Sequence, residues 1–121
     1  MHPDPTLPTS FSVHVAPRAE GGTQVTIFGE LDGVTAPEAQ EALERAVSEP
    51  GKVVIDLRAC GFVDSMGIAV IAGAASRLKD DGRHLVIVGA GARMLRTFEI
   101  AGLTDGPMIT IESERPGAQG A

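Results

Sequence analysis

Two short apolar runs constrain this chain more than anything else in it. Val53-Val54-Ile55-Asp56-Leu57 and Leu85-Val86-Ile87-Val88 are too short for helices and too continuous for strands with one wet face. Both read as strands buried on two sides. Between them, after an Asp64-Ser65 turn, residues 66–79 carry a helical pattern that reaches a second turn at Asp81-Gly82. Strand, helix and strand in that order form a βαβ unit, whose parallel strands are joined by a helix packed across the sheet.

The flanking segments extend that unit. Phe11, Val13 and Val15 alternate with Ser12 and His14, and Val25, Ile27 and Gly29 form a second alternating run beyond Glu20-Gly21-Gly22, which predicts a β-hairpin. Thr35-Ala36-Pro37-Glu38 reads as a capping box in which the Thr35 hydroxyl accepts from the Glu38 N–H and Pro37 sits where a missing donor costs nothing. It opens a helix over 36–48 with Ala39, Leu43, Ala46 and Val47 on one stripe, ended by Pro50-Gly51. A third helix over 92–101 stops at Gly102, suited to the left-handed position after a helix, with Leu103 as its apolar partner. Residues 108–111 supply a last strand. The order β-β-α-β-α-β-α-β predicts one α/β domain with a mixed sheet over residues 11–111. Residues 1–10, with three prolines, and the polar residues 112–121 are expected to be unstructured tails.

Composition removes several functions. The sequence has 121 residues and a formal net charge of −6, with no Trp, no Tyr and four Phe (Phe11, Phe28, Phe62, Phe98). Stacking platforms and a basic footprint for nucleic acid are therefore lacking. Residues 1–50 hold eight acids and two bases, so the whole excess lies in the first half. Cys60 is the only cysteine, which fits a reducing compartment, and the longest apolar stretch, around residues 68–75, is far short of the roughly 20 needed to span a bilayer. A cytoplasmic protein that does not enter a membrane is expected.

The first chemical candidate is Asp64-Ser65-Met66-Gly67, at the end of a buried strand and the start of a helix, the edge where open α/β sheets place their sites. Ser65 has two readings there: a simple N-cap, or the same cap geometry with the hydroxyl also on a rim that a kinase can reach. At about 100° per residue, Ile68, Ile71, Ala72, Ala75 and Leu78 form the core face of the helix, leaving Met66, Ala69, Val70, Gly73 and Arg77 on the other side. Small and apolar residues where charges are usual suggest a docking surface; the alternative is a covering loop. Gly89-Ala90-Gly91 imitates a dinucleotide loop, but Met94 stands where the third glycine belongs, and a strand-to-helix turn is the plainer reading. Ser65 lacks the Gly-x-Ser-x-Gly elbow. His2, His14 and His84 are scattered and make no metal spacing with Cys60, which reads as a small core residue. No catalytic apparatus and no cofactor or metal site is expected.

Gly29-Glu30-Leu31-Asp32 with Thr35-Ala36, Val54-Ile55-Asp56-Leu57, Phe62-Val63-Asp64-Ser65-Met66-Gly67-Ile68 and Phe98-Glu99-Ile100-Ala101-Gly102-Leu103 together resemble the STAS domain of bacterial anti-sigma factor antagonists, over nearly the whole chain. The resemblance implies a non-enzymatic partner switch. Such an antagonist binds an anti-sigma factor that is also a serine kinase, frees a sigma factor, lets go once phosphorylated, and is reset by a serine phosphatase. It implies Ser65 as phosphoacceptor, with Asp64 beside it and Asp32 near the same site. The expected partner surface comprises Asp32, Asp64, Met66, Gly67, Ala69, Val70 and Gly73. Met66 departs from the family, in which a second serine or a small residue is common, and leaves one acceptor in the loop. The rival reading is a STAS subunit of a transporter or scaffold assembly that docks without a phosphate cycle.

Overall fold

A computed structural model describes residues 10–104 and 109–112. The expected hairpin forms from β1 (Ser12–Pro17) and β2 (Thr23–Leu31), which pair antiparallel from Ser12 with Phe28 to Pro17 with Thr23. Its loop closes through Arg18 N–H to Gly22 O and Gly21 N–H to Arg18 O. Helix α1 (Ala36–Ser48) follows, then β3 (Val53–Asp56), β4 (Cys60–Val63), α2 (Ser65–Asp80), β5 (Leu85–Val88), α3 (Ala92–Ile100) and β6 (Ile109–Glu112). The sheet runs β1-β2-β3-β5-β6, with every pair after the hairpin parallel, and β4 pairs with β2 off this path.

Two details differ from the sequence reading. Strand β4 is additional, because the sequence pattern assigns no element to residues 60–63. Strand β2 is long enough to pair with β3 through Thr23–Thr26 and with β4 through its last residues, so β4 resumes on the flank of β2 where β3 leaves it. Glu112, assigned to a tail, is the last residue of β6. Of the expected tails, Ser10 is described, exposed and outside any element, while residues 1–9 and 113–121 lie outside the described residues, as does Met108, where the last strand was expected to begin.

One apolar core joins the sheet to all three helices. Val25, Ile27, Val53, Ile55, Leu85 and Ile87 alternate onto the helical face, where they meet Leu43, Ile71, Leu78 and Phe98. The end of α3 forms as its sequence foretold: Gly102 has φ +80°, its N–H bonds to Glu99 O, and the buried Leu103 donates to Phe98 O. This is the doubly bonded left-handed cap. The C-terminus of α1 is held from outside. Arg83, in the turn before β5, donates to Val47 O at 2.7 Å, to Gly51 O at 3.0 Å and to Glu49 O, placing a cation on carbonyls that have no partner in the helix.

Asp56 is buried at the end of β3 and is held by Arg58, whose guanidinium reaches Asp56 Oδ2 at 2.6 Å while its backbone N–H donates to Oδ1 at 3.0 Å. The hydrogen bonds from the Arg58 side chain lower the Asp56 carboxyl below its ordinary value, against the opposing effect of burial. A depressed carboxyl stabilises the fold at pH above its unfolded value, roughly 3.9, and that contribution is lost as pH falls through the folded value. Asp56→Asn is expected to cost about 1–3 kcal/mol at neutral pH. In urea unfolding followed by circular dichroism, the gap between variant and wild type should close below about pH 4; a gap independent of pH would show that the charge is not what matters.

Candidate functional site

The carboxyl ends of β2 and β4 lie side by side. Leu31 and Val63 are register partners, and Asp64 N–H donates to Leu31 O at 3.0 Å, so Asp32 and Asp64 each stand one residue past a paired position. Both carboxylates face inward to backbone. Asp32 Oδ1 accepts from Val34 N–H at 2.9 Å and Thr35 N–H at 3.1 Å. The expected Thr35–Glu38 capping box is not made: Thr35 is already in helical conformation (φ −92°, ψ −13°), and its hydroxyl donates to Glu30 O at 2.8 Å. A cap must precede the first turn in extended backbone. That turn starts at Asp32, whose carbonyl takes the Ala36 N–H at 2.7 Å, so the capping passes to Asp32.

At the second strand end, Asp64 is extended (φ −99°, ψ −171°), and its Oδ1 accepts from Met66 N–H at 2.9 Å and Gly67 N–H at 3.0 Å. Asp64 is therefore the cap of α2, and the reading of Ser65 as that cap is corrected. Ser65 is the first residue of the helix and exposed. Among the described residues its hydroxyl has no hydrogen-bond partner.

Met66, Ala69, Val70 and Gly73 come together as expected, and the structure shows what they line: an open groove of about 290 Å³ between α1 and α2, with Gly33, Ala36, Pro37 and Leu43 along its other wall. No described loop covers it. Met66 is 53% exposed at its mouth, and Val34, next in sequence to the Gly33 that faces Met66, is 89% exposed. The sequence reading passed over Val34, although an apolar residue in an acidic turn was a visible signal. Gly67 leaves the expected surface. It is buried, and a Cβ there would stand 2.7 Å from Leu31 Cγ and 2.8 Å from Leu31 O, so its place is the contact between helix and strand. Ala74 is also buried and Ala72 only half-buried, because α2 packs on α1 as well as on the sheet.

The remaining candidates stay apart from this edge. Cys60 is buried, with burial pushing its thiol up, and Sγ donates to Phe62 O at 3.4 Å. His14 meets Phe28 edge to face at 5.3 Å, and His84 bonds Thr110 at the opposite end of the sheet. The Gly89 turn (φ +78°) is filled by the Arg58 side chain and backbone where a phosphate would have to approach. Among the described residues no group of acids, histidines and cysteines could hold a metal.

The family model described as the STAS domain matches residues 12–115. The chain belongs to the STAS domain family. Its STAS domain is 36% identical over 97 residues to the anti-sigma-B factor antagonist of Listeria monocytogenes, spanning 79% of this chain and 85% of that protein. It is 33% identical over 95 residues to the anti-sigma-B factor antagonist of Bacillus subtilis, spanning 78% and 87%. Among solved structures, an anti-sigma factor antagonist from Mycobacterium paratuberculosis superposes with a TM-score of 0.72 at 29% identity, over 84% of this chain and 86% of that one.

The close approach at Gly67 can be tested. Gly67→Ala is expected to destabilise the STAS domain by about 1–3 kcal/mol through overpacking against Leu31 and Val63, although alanine within a helix normally gains about 1 kcal/mol over glycine. A midpoint in urea equal to or above that of the wild type would show that the helix and β2 can separate there.

Proposed function

We propose that this chain is a cytoplasmic anti-sigma factor antagonist that binds an anti-sigma factor with serine kinase activity through the Ser65 edge and the groove, and that phosphorylation of Ser65 ends the complex until a serine phosphatase restores it. The observation that carries this reading is Ser65 itself, exposed, with a hydroxyl unused by the fold because Asp64 caps α2, and one residue before Met66 at the mouth of an apolar groove. The names of the Listeria and Bacillus relatives support the antagonist reading, and Ser65 follows the Asp64 of the family loop.

The electrostatics of a phosphate at Ser65 suit a switch of affinity. It adds about −1.5 to −2 charges at a helix terminus that favours anions. The Met66 and Gly67 N–H groups are already held by Asp64, so the phosphate stays in water beside a carboxylate. In a complex that charge must be desolvated next to Asp64, Asp32, Val34 and Met66. A loss of 2–3 kcal/mol weakens binding roughly 30- to 150-fold, enough to exchange partners without refolding the chain.

Two measurements decide the matter. With the cognate kinase and ATP, phosphate-affinity electrophoresis should show one modified species for the wild type and none for Ser65→Ala. Ser65→Glu should bind the kinase at least tenfold more weakly while its thermal midpoint moves by less than about 2 °C, as befits an exposed site. Equal modification of Ser65→Ala would sink the phosphoacceptor assignment. Tight binding without any modification would favour a docking subunit of a transporter or scaffold.

A further inference from the structure

The groove between α1 and α2 has a length, a floor and a charged end, and together these specify what fits it. Both helices start at the Ser65 edge and run away from it, since each follows a strand of the same parallel set. From Met66 at the mouth to Arg77 at the far end the α2 wall covers twelve residues, a rise of about 16 Å at 1.5 Å per step. Ala36, Ala69 and Gly73 keep the walls low, and a Cβ on Gly73 would meet nothing within 4 Å. Leu43 and Val70 give an apolar floor, and Glu44 and Arg77 face the far end from opposite walls. Neither side chain forms an ion pair with a described residue: the Glu44 carboxylate accepts only from Gln40, at 3.3 Å, and the Arg77 guanidinium has no partner among the described residues.

We infer that the groove seats one amphipathic helix of about three turns from the anti-sigma factor, with an acidic and a basic side chain at one end meeting Arg77 and Glu44. This deepens the proposed function and rests on it. Small residues on two adjacent helices let a third approach to the 8–10 Å at which helices pack, and an apolar stripe repeating every three or four residues fills such a trough. An extended peptide would find no strand edge there to pair with. A lipid chain would leave two opposite charges at the far end unmatched. The register set by Glu44 and Arg77 brings the other end of the docked helix to Ser65, so a phosphate there meets the bound segment directly.

The test titrates the purified cognate anti-sigma factor kinase into the unphosphorylated chain by calorimetry. Gly73→Leu fills the groove with a side chain that the fold has room for. It should keep or raise the thermal midpoint, since the residue is an exposed helical glycine, and weaken binding at least tenfold. Arg77→Glu, at an exposed position, should weaken binding about fivefold in 50 mM salt and by less in 500 mM, as expected of a screened contact. If Gly73→Leu binds like the wild type while Ser65→Glu does not, the groove inference is overturned and the phosphate switch stands. If the wild type itself fails to bind the kinase, both fall. If sedimentation shows a wild-type dimer that Gly73→Leu dissociates, the occupant is a second copy of this chain and the inference is overturned.

Discussion

The arrangement of the site depends on one carboxylate. Asp64 ends β4 in extended backbone and takes two N–H groups of the first turn of α2 on a single oxygen, while its own N–H is fixed on Leu31 O. The helix is thereby started at a defined residue and tied to β2 in the same step. The tie brings Gly67 onto Leu31 at a distance that no side chain would permit. From that contact follows the direction of α2, and with it the gap to α1 that makes the groove. Asp32 performs the same task for the turn before α1, so two helices that line one cleft begin from caps of the same chemistry at neighbouring strand ends. Replacing either carboxylate would alter a helix origin as well as a charge.

Much of this was legible in the sequence because it rests on local rules. The hairpin, the βαβ unit and the glycine-terminated end of α3 follow from period-two alternation, continuous apolar runs and the freedom of Gly102 to take positive φ. Ser65, Met66, Ala69, Val70 and Gly73 could be placed on one rim by wheel arithmetic. What escaped notice depends on contacts between distant segments. Strand β4 has four residues, one of them Gly61, and it pairs across an irregularity: Gly29 meets Cys60, but the next residue, Glu30, meets Phe62. One step on β2 answers two on β4, so Cys60 and Val63 are buried while Gly61 and Phe62 are not. The alternation that announces a strand is erased by the bulge.

The two capping assignments fell for a related reason. Thr35 and Ser65 are good caps by type, and each stands three residues or one residue after an aspartate that is equally good. Residue preference cannot choose between them. The choice is made by where the preceding strand stops, because the cap is the last extended residue, and that point is set by the pairing of Leu31 with Val63. Gly67 differs: on the wheel it falls within about 20° of Leu78, on the core side, and what the wheel does not show is that β2 passes beneath the first turn close enough to bar a side chain.

The separation of the cap, Asp64, from Ser65 also decides how a phosphate on Ser65 would act under the proposed function. Each helix end contributes about half a positive charge, and the two ends near Ser65 face two carboxylates, leaving roughly one negative charge at the free site. A phosphate of −1.5 to −2 would bring the local total to about −2.5 to −3, with the N–H groups that might have absorbed it already bonded to Asp64 and Asp32. Had Ser65 been the cap, its modification would have unseated the first turn of α2 and coupled the switch to folding. With Asp64 in that role the charge falls outside the fold's own bonds, next to Met66 and Val34. Under the proposed switch, the repulsion and the desolvation cost would then arise at the rim rather than within the fold, so a modified domain would keep its stability and change only in what it could bind.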